Sequence, residues 1–230
     1  MRAFDVATSF AASIARAGTG MQVGTLGARP AKPLELYEFE ACPYCRKARE
    51  ALSILDLDAR IFPCPQGGPT FRRAMRQKGG KEQFPYLVDP NTGAEMYESD
   101  EIVRYLFARY GDGNVPWSLS LPIATDLTSG LASAWRVIAG RSYRTAKMPA
   151  QPLELWSFEA SPYSRLVRER LCELELPYLL HNVARGSTKR HDFVARSGRM
   201  MVPYLHDPNT GSEMFESADI CAYLELTYAR

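Results

Sequence analysis

The chain has little of what usually announces a partner. Its 28 Lys and Arg stand against 26 Asp and Glu, a net charge of +2 with no basic run, which argues against nucleic acid or an anionic membrane surface as partner. No apolar run approaches the ~20 residues that cross a bilayer. Histidine is scarce, and the three present, His181, His191 and His206, all lie in the C-terminal half. Cysteine numbers five, an odd count with one close pair, which speaks against a secreted disulfide framework and for a reducing compartment. That pair, Cys42 and Cys45, could be half of a zinc site, but no second C-x-x-C accompanies it and the histidines are remote in sequence.

What is present is one segment written twice. Leu34 to Arg46 returns as Leu153 to Arg165 at an offset of 119, with Cys42-Pro43-Tyr44-Cys45 replaced by Ser161-Pro162-Tyr163-Ser164. Phe84 to Gly93 and Glu95 to Ser99 return as Val202 to Gly211 and Glu213 to Ser217 at an offset of 118, so the second copy has lost one residue between the counterparts of Gly67 and Arg72. A repeat this long is a duplicated domain and not a solenoid module. The division expected is an N-terminal extension over 1–32, a first domain over 33–111, a linker with a helix over 112–151 and a second domain over 152–230.

Within each copy the pattern reads strand, helix, strand, helix, hairpin, helix. Leu34 to Phe39 alternates as a strand, and Pro43 to Ile54 has helical spacing. Arg60 to Phe62 is a second short strand, Thr70 to Lys78 a helix, and Asp89-Pro90-Asn91-Thr92-Gly93 a turn between two antiparallel strands. Ser99 reads as the N-cap of a last helix. The order describes an α/β fold of two tandem thioredoxin-like domains, each a four-stranded mixed sheet with flanking helices. Thr8 to Arg16 is echoed by Thr128 to Arg136, which predicts an extra leading helix per copy through which the domains pack. The Ala-, Ser- and Arg-containing first thirty residues also have the composition of a transit peptide, so the expected compartment is cytoplasmic, or a chloroplast or other organelle under that second reading.

A cysteine between a strand end and a helix start faces unpaired backbone N–H groups and the positive end of the helix dipole. A free thiol is only about 3% ionised at pH 7, whereas such C-x-x-C thiols are largely thiolate. Cys42, beside Arg46 and Lys47, is therefore the expected nucleophile, and Cys45, one turn inside, the resolving thiol. Cys64, Cys172 and Cys221 correspond to Val183, Ser53 and Val103 and read as inert.

Cys42-Pro43-Tyr44-Cys45 resembles the glutaredoxin active site, and Ser161 to Arg168 resembles the start of the first helix in serine-type glutathione transferases. Over about residues 33–110 and 152–229 the chain is similar to tandem proteins built from two glutathione-transferase N-terminal domains, known from photosynthetic organisms and bacteria. The resemblance implies glutathione as ligand. Tyr44 and Ser161 would lie beside its sulfur, and Phe84 and Val202, before Pro85 and Pro203 where the families place a cis-proline, would offer backbone groups to its peptide. Glu98-Ser99 and Glu216-Ser217 would hold its γ-glutamyl end. For each Ser, plain helix capping is the competing role.

Three functions remain open on the sequence. The first is a glutathione-linked thiol–disulfide oxidoreductase acting on disulfide-containing or glutathionylated substrates, with a redox-silent second domain. The second is a transferase working through Ser161. The third is a redox-sensing protein in which an exposed Cys42 and glutathione ligate a [2Fe-2S] cluster shared by two chains. Neither copy is followed by enough chain for the large helical domain of a full transferase. Oligomeric state is not legible.

Overall fold

The computed structural model describes residues 18–120 and 139–230. The expected leading helices, at 8–16 and 128–136, lie outside the described residues. The first repeat runs β1 (Leu34–Glu38), α1 (Pro43–Ile54), β2 (Ala59–Pro63), α2 (Phe71–Gly79), β3 (Tyr86–Asp89), β4 (Ala94–Met96) and α3 (Ser99–Tyr110), followed by a short α4 (Trp117–Ser120). The second runs β5 (Leu153–Ser157), α5 (Pro162–Glu173), β6 (Tyr178–Asn182), α6 (Arg190–Ser197), β7 (Tyr204–Asp207), β8 (Ser212–Phe215) and α7 (Ser217–Tyr228). No helix among the described residues is long and apolar enough to cross a membrane.

The two four-stranded sheets are not separate. They join edge to edge into one eight-stranded sheet of order β4-β3-β1-β2-β6-β5-β7-β8. At the join Ala59 pairs with Leu180, Arg60 with Leu179 and Ile61 with Tyr178, antiparallel. Arg60 and Leu179 are repeat counterparts, so this is an isologous contact about a local two-fold axis within one chain. It also removes the inner edge that each sheet would expose alone. Packing through leading helices was the expectation; among the described residues the sheet edge makes the join.

Strand alternation puts Leu34, Leu36 and Glu38 on one sheet face, the face that α1 and α3 cover with Ala48, Leu52, Ile102 and Leu106. The opposite face carries a smaller cluster of Tyr37, Cys64, Met75 and Tyr86. In each repeat the hairpin turn is tied to the last helix. Asp89 accepts hydrogen bonds from Tyr105 (2.6 Å) and Tyr110, and Asp207 from Tyr223 (2.6 Å) and Tyr228.

The centre of the join is ionic. Arg49 of α1 pairs with Glu159 of the second repeat at 3.0 Å, and its counterpart Arg168 of α5 pairs with Glu40 of the first at 3.1 Å. Arg49 also pairs with Glu38 and with Glu40, and Arg168 with Glu159. All five side chains are at most 7% exposed. Burial pushes the Glu38 carboxyl up to about 7; Arg49 opposes this, and Glu40 and Glu159 add to it. Burial works in the same sense on Glu159, but Arg168, Arg49, Arg46 and Arg165 together hold it down to about 2. Glu38 is thus the carboxyl that gives way where three compete for one guanidinium.

Arg49→Met removes the ion-pair partner of Glu38 and one of those shared by Glu40 and Glu159, and is expected to cost about 3–5 kcal/mol, read from the urea midpoint of unfolding. Glu38 predicts a pH effect of definite sign. Its folded carboxyl keeps a proton that the unfolded chain, with an ordinary value of 4.5, has lost, so its contribution to stability falls as pH rises from 4.5 to about 7. Glu38→Gln is expected to flatten that fall in unfolding measurements at about pH 5 and about pH 8. An unchanged slope would place the proton elsewhere.

Candidate functional site

β1 ends at Glu38 and α1 begins at Pro43, so Cys42 is the N-cap of a three-turn helix with proline in its first turn. The turn is closed by the Cys42 N–H donating to the Phe39 carbonyl (3.1 Å) and by the Arg46 N–H donating to the Cys42 carbonyl (3.0 Å). The Cys42 Sγ accepts from the Cys45 N–H at 3.3 Å. A hydrogen bond from the Cys45 side chain lowers the Cys42 thiol below its ordinary value; burial opposes this, and the Cys45 and Tyr44 amides reinforce it. Burial pushes Cys45 well up, and its hydrogen bond to Cys42 pushes it further. The two thiols are split in acidity in the order that makes Cys42 the first to ionise.

Two expectations about this turn are corrected. Arg46 and Lys47 do not bear on the sulfur: Arg46 is drawn to Glu50 and Glu159, and Lys47 to Asp100. Hydrogen bonds at the helix start stabilise the thiolate instead. Cys42 is also not exposed, at 4%, while Tyr44 beside it is 48% exposed. The cluster reading, built on an exposed Cys42, loses its premise, and among the described residues no group of three or more His, Cys, Asp or Glu could hold a metal ion.

The second repeat reproduces the turn in oxygen. Ser161 caps α5 and accepts from the Ser164 N–H at 3.2 Å and from the Ser164 hydroxyl at 2.9 Å. The Phe84–Pro85 and Val202–Pro203 bonds are both cis. The strand ladders begin at Tyr86 and Tyr204, so Phe84 and Val202 lie just outside them.

The last helices begin one residue earlier than expected. Glu98 and Glu216 occupy the N-cap positions, without a side-chain cap bond, and Ser99 and Ser217 are the first helical residues, 6% and 3% exposed. Glu98 and Glu216 both have φ of 64°, a conformation that costs a non-glycine residue about 1–3 kcal/mol. Gln83 donates to the Glu98 carboxylate. Residues outside these motifs line a cleft on the Phe39 and Phe84 side of the turn. Arg72 of α2 lies 4.8 Å over the Phe84 ring, which meets Phe39 edge-on, and Arg141, from the segment between the repeats, completes a cleft of about 280 Å³ with Gln66 and Glu82. The recurrence of Arg72 as Arg190 after the deletion was the one sequence signal available.

No curated protein matches the chain. Among solved structures, a glutathione transferase of Bombyx mori is 25% identical over 36% of this chain and 38% of its own length, with a TM-score of 0.33. The match thus spans little more than a third of that enzyme. A trimeric glutathione transferase of Leishmania is 13% identical over 87% of this chain and 68% of its own, with a TM-score of 0.31. The family profile described as glutathione S-transferase, N-terminal domain, matches residues 36–114 and 155–230, well over half of the chain. With one matched segment on each repeat, the chain belongs to the glutathione S-transferase N-terminal domain family.

Proposed function

We propose that the first repeat is a glutathione-linked thiol–disulfide oxidoreductase and that the second holds glutathione without exchanging electrons. The observation that carries this is Cys42 at the N-cap of α1, its Sγ accepting the Cys45 N–H at 3.3 Å, in a setting that lowers the Cys42 thiol and raises that of Cys45. The Cys42 thiolate attacks one sulfur of a glutathionylated or disulfide substrate. A Cys42 S–S bond forms as the substrate S–S bond breaks, and the departing thiolate takes a proton. Cys45 then displaces the bound partner, or a glutathione thiolate does so directly; in either course two glutathione molecules end as one glutathione disulfide and the substrate disulfide ends as two thiols.

Glutathione is the substrate for which the groove has groups to offer. Phe84 and Val202 lie beyond the ladder, so their backbone can take an extended peptide in the manner of a short added strand. Ser99 and Ser217 open helices whose N–H groups suit a carboxylate, and Glu98 and Glu216 in strained backbone beside them suit an amine. Recurrence of that strain in both repeats supports a ligand-holding role for each.

A transferase reading for the second repeat draws on one specific contact. Ser161 accepts both the N–H and the O–H of Ser164, so its own proton is directed elsewhere and can be donated to a glutathione thiolate. It has no redox couple, which keeps it out of disulfide exchange.

Alkylation of Cys42 followed against pH is expected to titrate below an ordinary cysteine, and Cys42→Ser to abolish glutathione-dependent disulfide reduction. Cys45→Ser should retain turnover of glutathionylated substrates and lose intramolecular resolution. Faster alkylation of Cys64 than of Cys42 would sink the assignment. Because the sheet is shared, the second repeat is best tested in the whole chain. Ser161→Cys with Ser164→Cys, placed in the Cys42→Ser protein, should restore part of the reductase activity, and no recovery would mean that the second groove does not admit the substrate.

A further inference from the structure

The helix that carries Arg72 is held by the other repeat. α2 begins after Thr70, whose side chain makes no cap bond. Its first N–H groups are met instead by Glu175, which follows α5 of the second repeat. Glu175 Oε1 accepts from the Thr70 N–H at 3.0 Å and from the Phe71 N–H at 2.9 Å. Glu175 is 1% exposed and sits at φ of 51°. Gly68 makes room for it, since a Cβ there would come within 2.7 Å of Oε1.

The second repeat does not borrow in the same way. The counterpart of Glu175 is Asp56, φ 52°, which accepts from the Ser187 hydroxyl at 3.0 Å and pairs with Lys189 at 3.3 Å. Ser187, in the place of Gly68, itself accepts the Lys189 N–H at 3.2 Å. Of the two counterpart helices, only α2 has its first N–H groups capped directly across the join.

Arg72 is the second residue of that helix. It donates to the Cys64 and Pro65 carbonyls at 3.1 and 2.6 Å and places its guanidinium over Phe84 and, at 5.7 Å, over Phe39. Phe39 supplies the carbonyl that holds the Cys42 N–H, and Phe84 precedes the cis-proline, so two residues of the cleft wall are joined to the cysteine turn and the proline beside it. The far wall is Arg141, tied in by Gln66: the Gln66 N–H donates to the Arg141 carbonyl at 2.6 Å, and Arg141 Nε donates to Gln66 Oε1 at 3.2 Å. The single carboxylate in the lining, Glu82, is already spanned by Arg72 and Arg76, which leaves a cationic, aromatic-floored cleft.

We propose that this cleft selects disulfides bearing an anionic arm, through Arg72 and Arg141, and that Glu175 of the second repeat is the residue that positions it. The inference rests on the exchange reading of Cys42. It gives the repeat without a C-x-x-C pair a part in the first repeat's chemistry that needs no ligand of its own.

The test is a single-turnover reaction of the full chain with two aromatic disulfides, the carboxylated 5,5′-dithiobis(2-nitrobenzoate) and the uncharged 2,2′-dithiodipyridine. Only the component lost in Cys42→Ser is counted. In that component the Cys42 thiolate forms a mixed disulfide and one aromatic thiolate leaves. Arg72→Ala and Glu175→Ala should each slow the carboxylated reagent roughly tenfold, as expected for a lost charge-assisted contact, and the uncharged one less than twofold. Glu175→Gln, whose carbonyl can still accept both N–H groups, should recover most of that selectivity. Gly68→Ala, which crowds the carboxylate without removing it, should fall between. Equal slowing of both reagents by Glu175→Ala would reduce Glu175 to a structural cap, and no slowing of either would remove it altogether. Selectivity lost in Arg72→Ala but kept in Glu175→Ala would overturn the positioning role alone. If wild type and Cys42→Ser react alike, the exchange reading itself falls, and this inference with it.

Discussion

Everything in this molecule is arranged about four buried ions on a local two-fold axis. Glu40 with Arg168 and Glu159 with Arg49 are the same pair made twice, each bridging from one repeat to the other. Buried pairs of this kind add little net stability over an apolar contact, but an unmatched member is costly. They therefore fix which surfaces meet and in what register more than how strongly they hold. The β2 to β6 edge pairing, centred on the counterparts Arg60 and Leu179, is the backbone expression of the same register.

A duplicated chain begins symmetric, and the departures from symmetry concentrate around the sulfur. Cys42 and Cys45 face Ser161 and Ser164. Glu38, a carboxyl inside an otherwise apolar strand face, faces Ser157, and Gly68 faces Ser187. Once ionised, Glu38 opposes ionisation of both cysteines, and Gly68 admits the carboxylate of Glu175. The second repeat keeps the scaffold of the groove, including the cis-proline and the strained Glu216, while losing the electron-carrying atoms. That division is what allows one copy to serve as a fixed support for the other.

Much of this was legible in the residues. α1 was read to its ends because proline at the first turn and apolar spacing agree locally, and the hairpin because Asp-Pro-Asn-Thr-Gly admits few other paths. The N-cap of α3 was misplaced by one residue. Ser99 is the better cap by propensity, but the chain enters the helix through a left-handed Glu98, and such a conformation is set by surrounding contacts. Arg46 and Lys47 were misjudged for a related reason: charge near a thiol in sequence says nothing about which carboxylate will claim it, and Glu50 with Glu159 takes the one and Asp100 the other.

The sequence by itself determined the duplication, the element order in each repeat and the place of the C-x-x-C pair at a helix start, because these follow from short-range periodicity, capping and a repeat offset. The tertiary structure alone decided that the two sheets are one, that burial raises the Glu38 carboxyl, and that Glu175 caps a helix more than a hundred positions away. Those outcomes depend on burial and on which charges meet, and a desolvated charge takes its energy from neighbours that the linear order does not name.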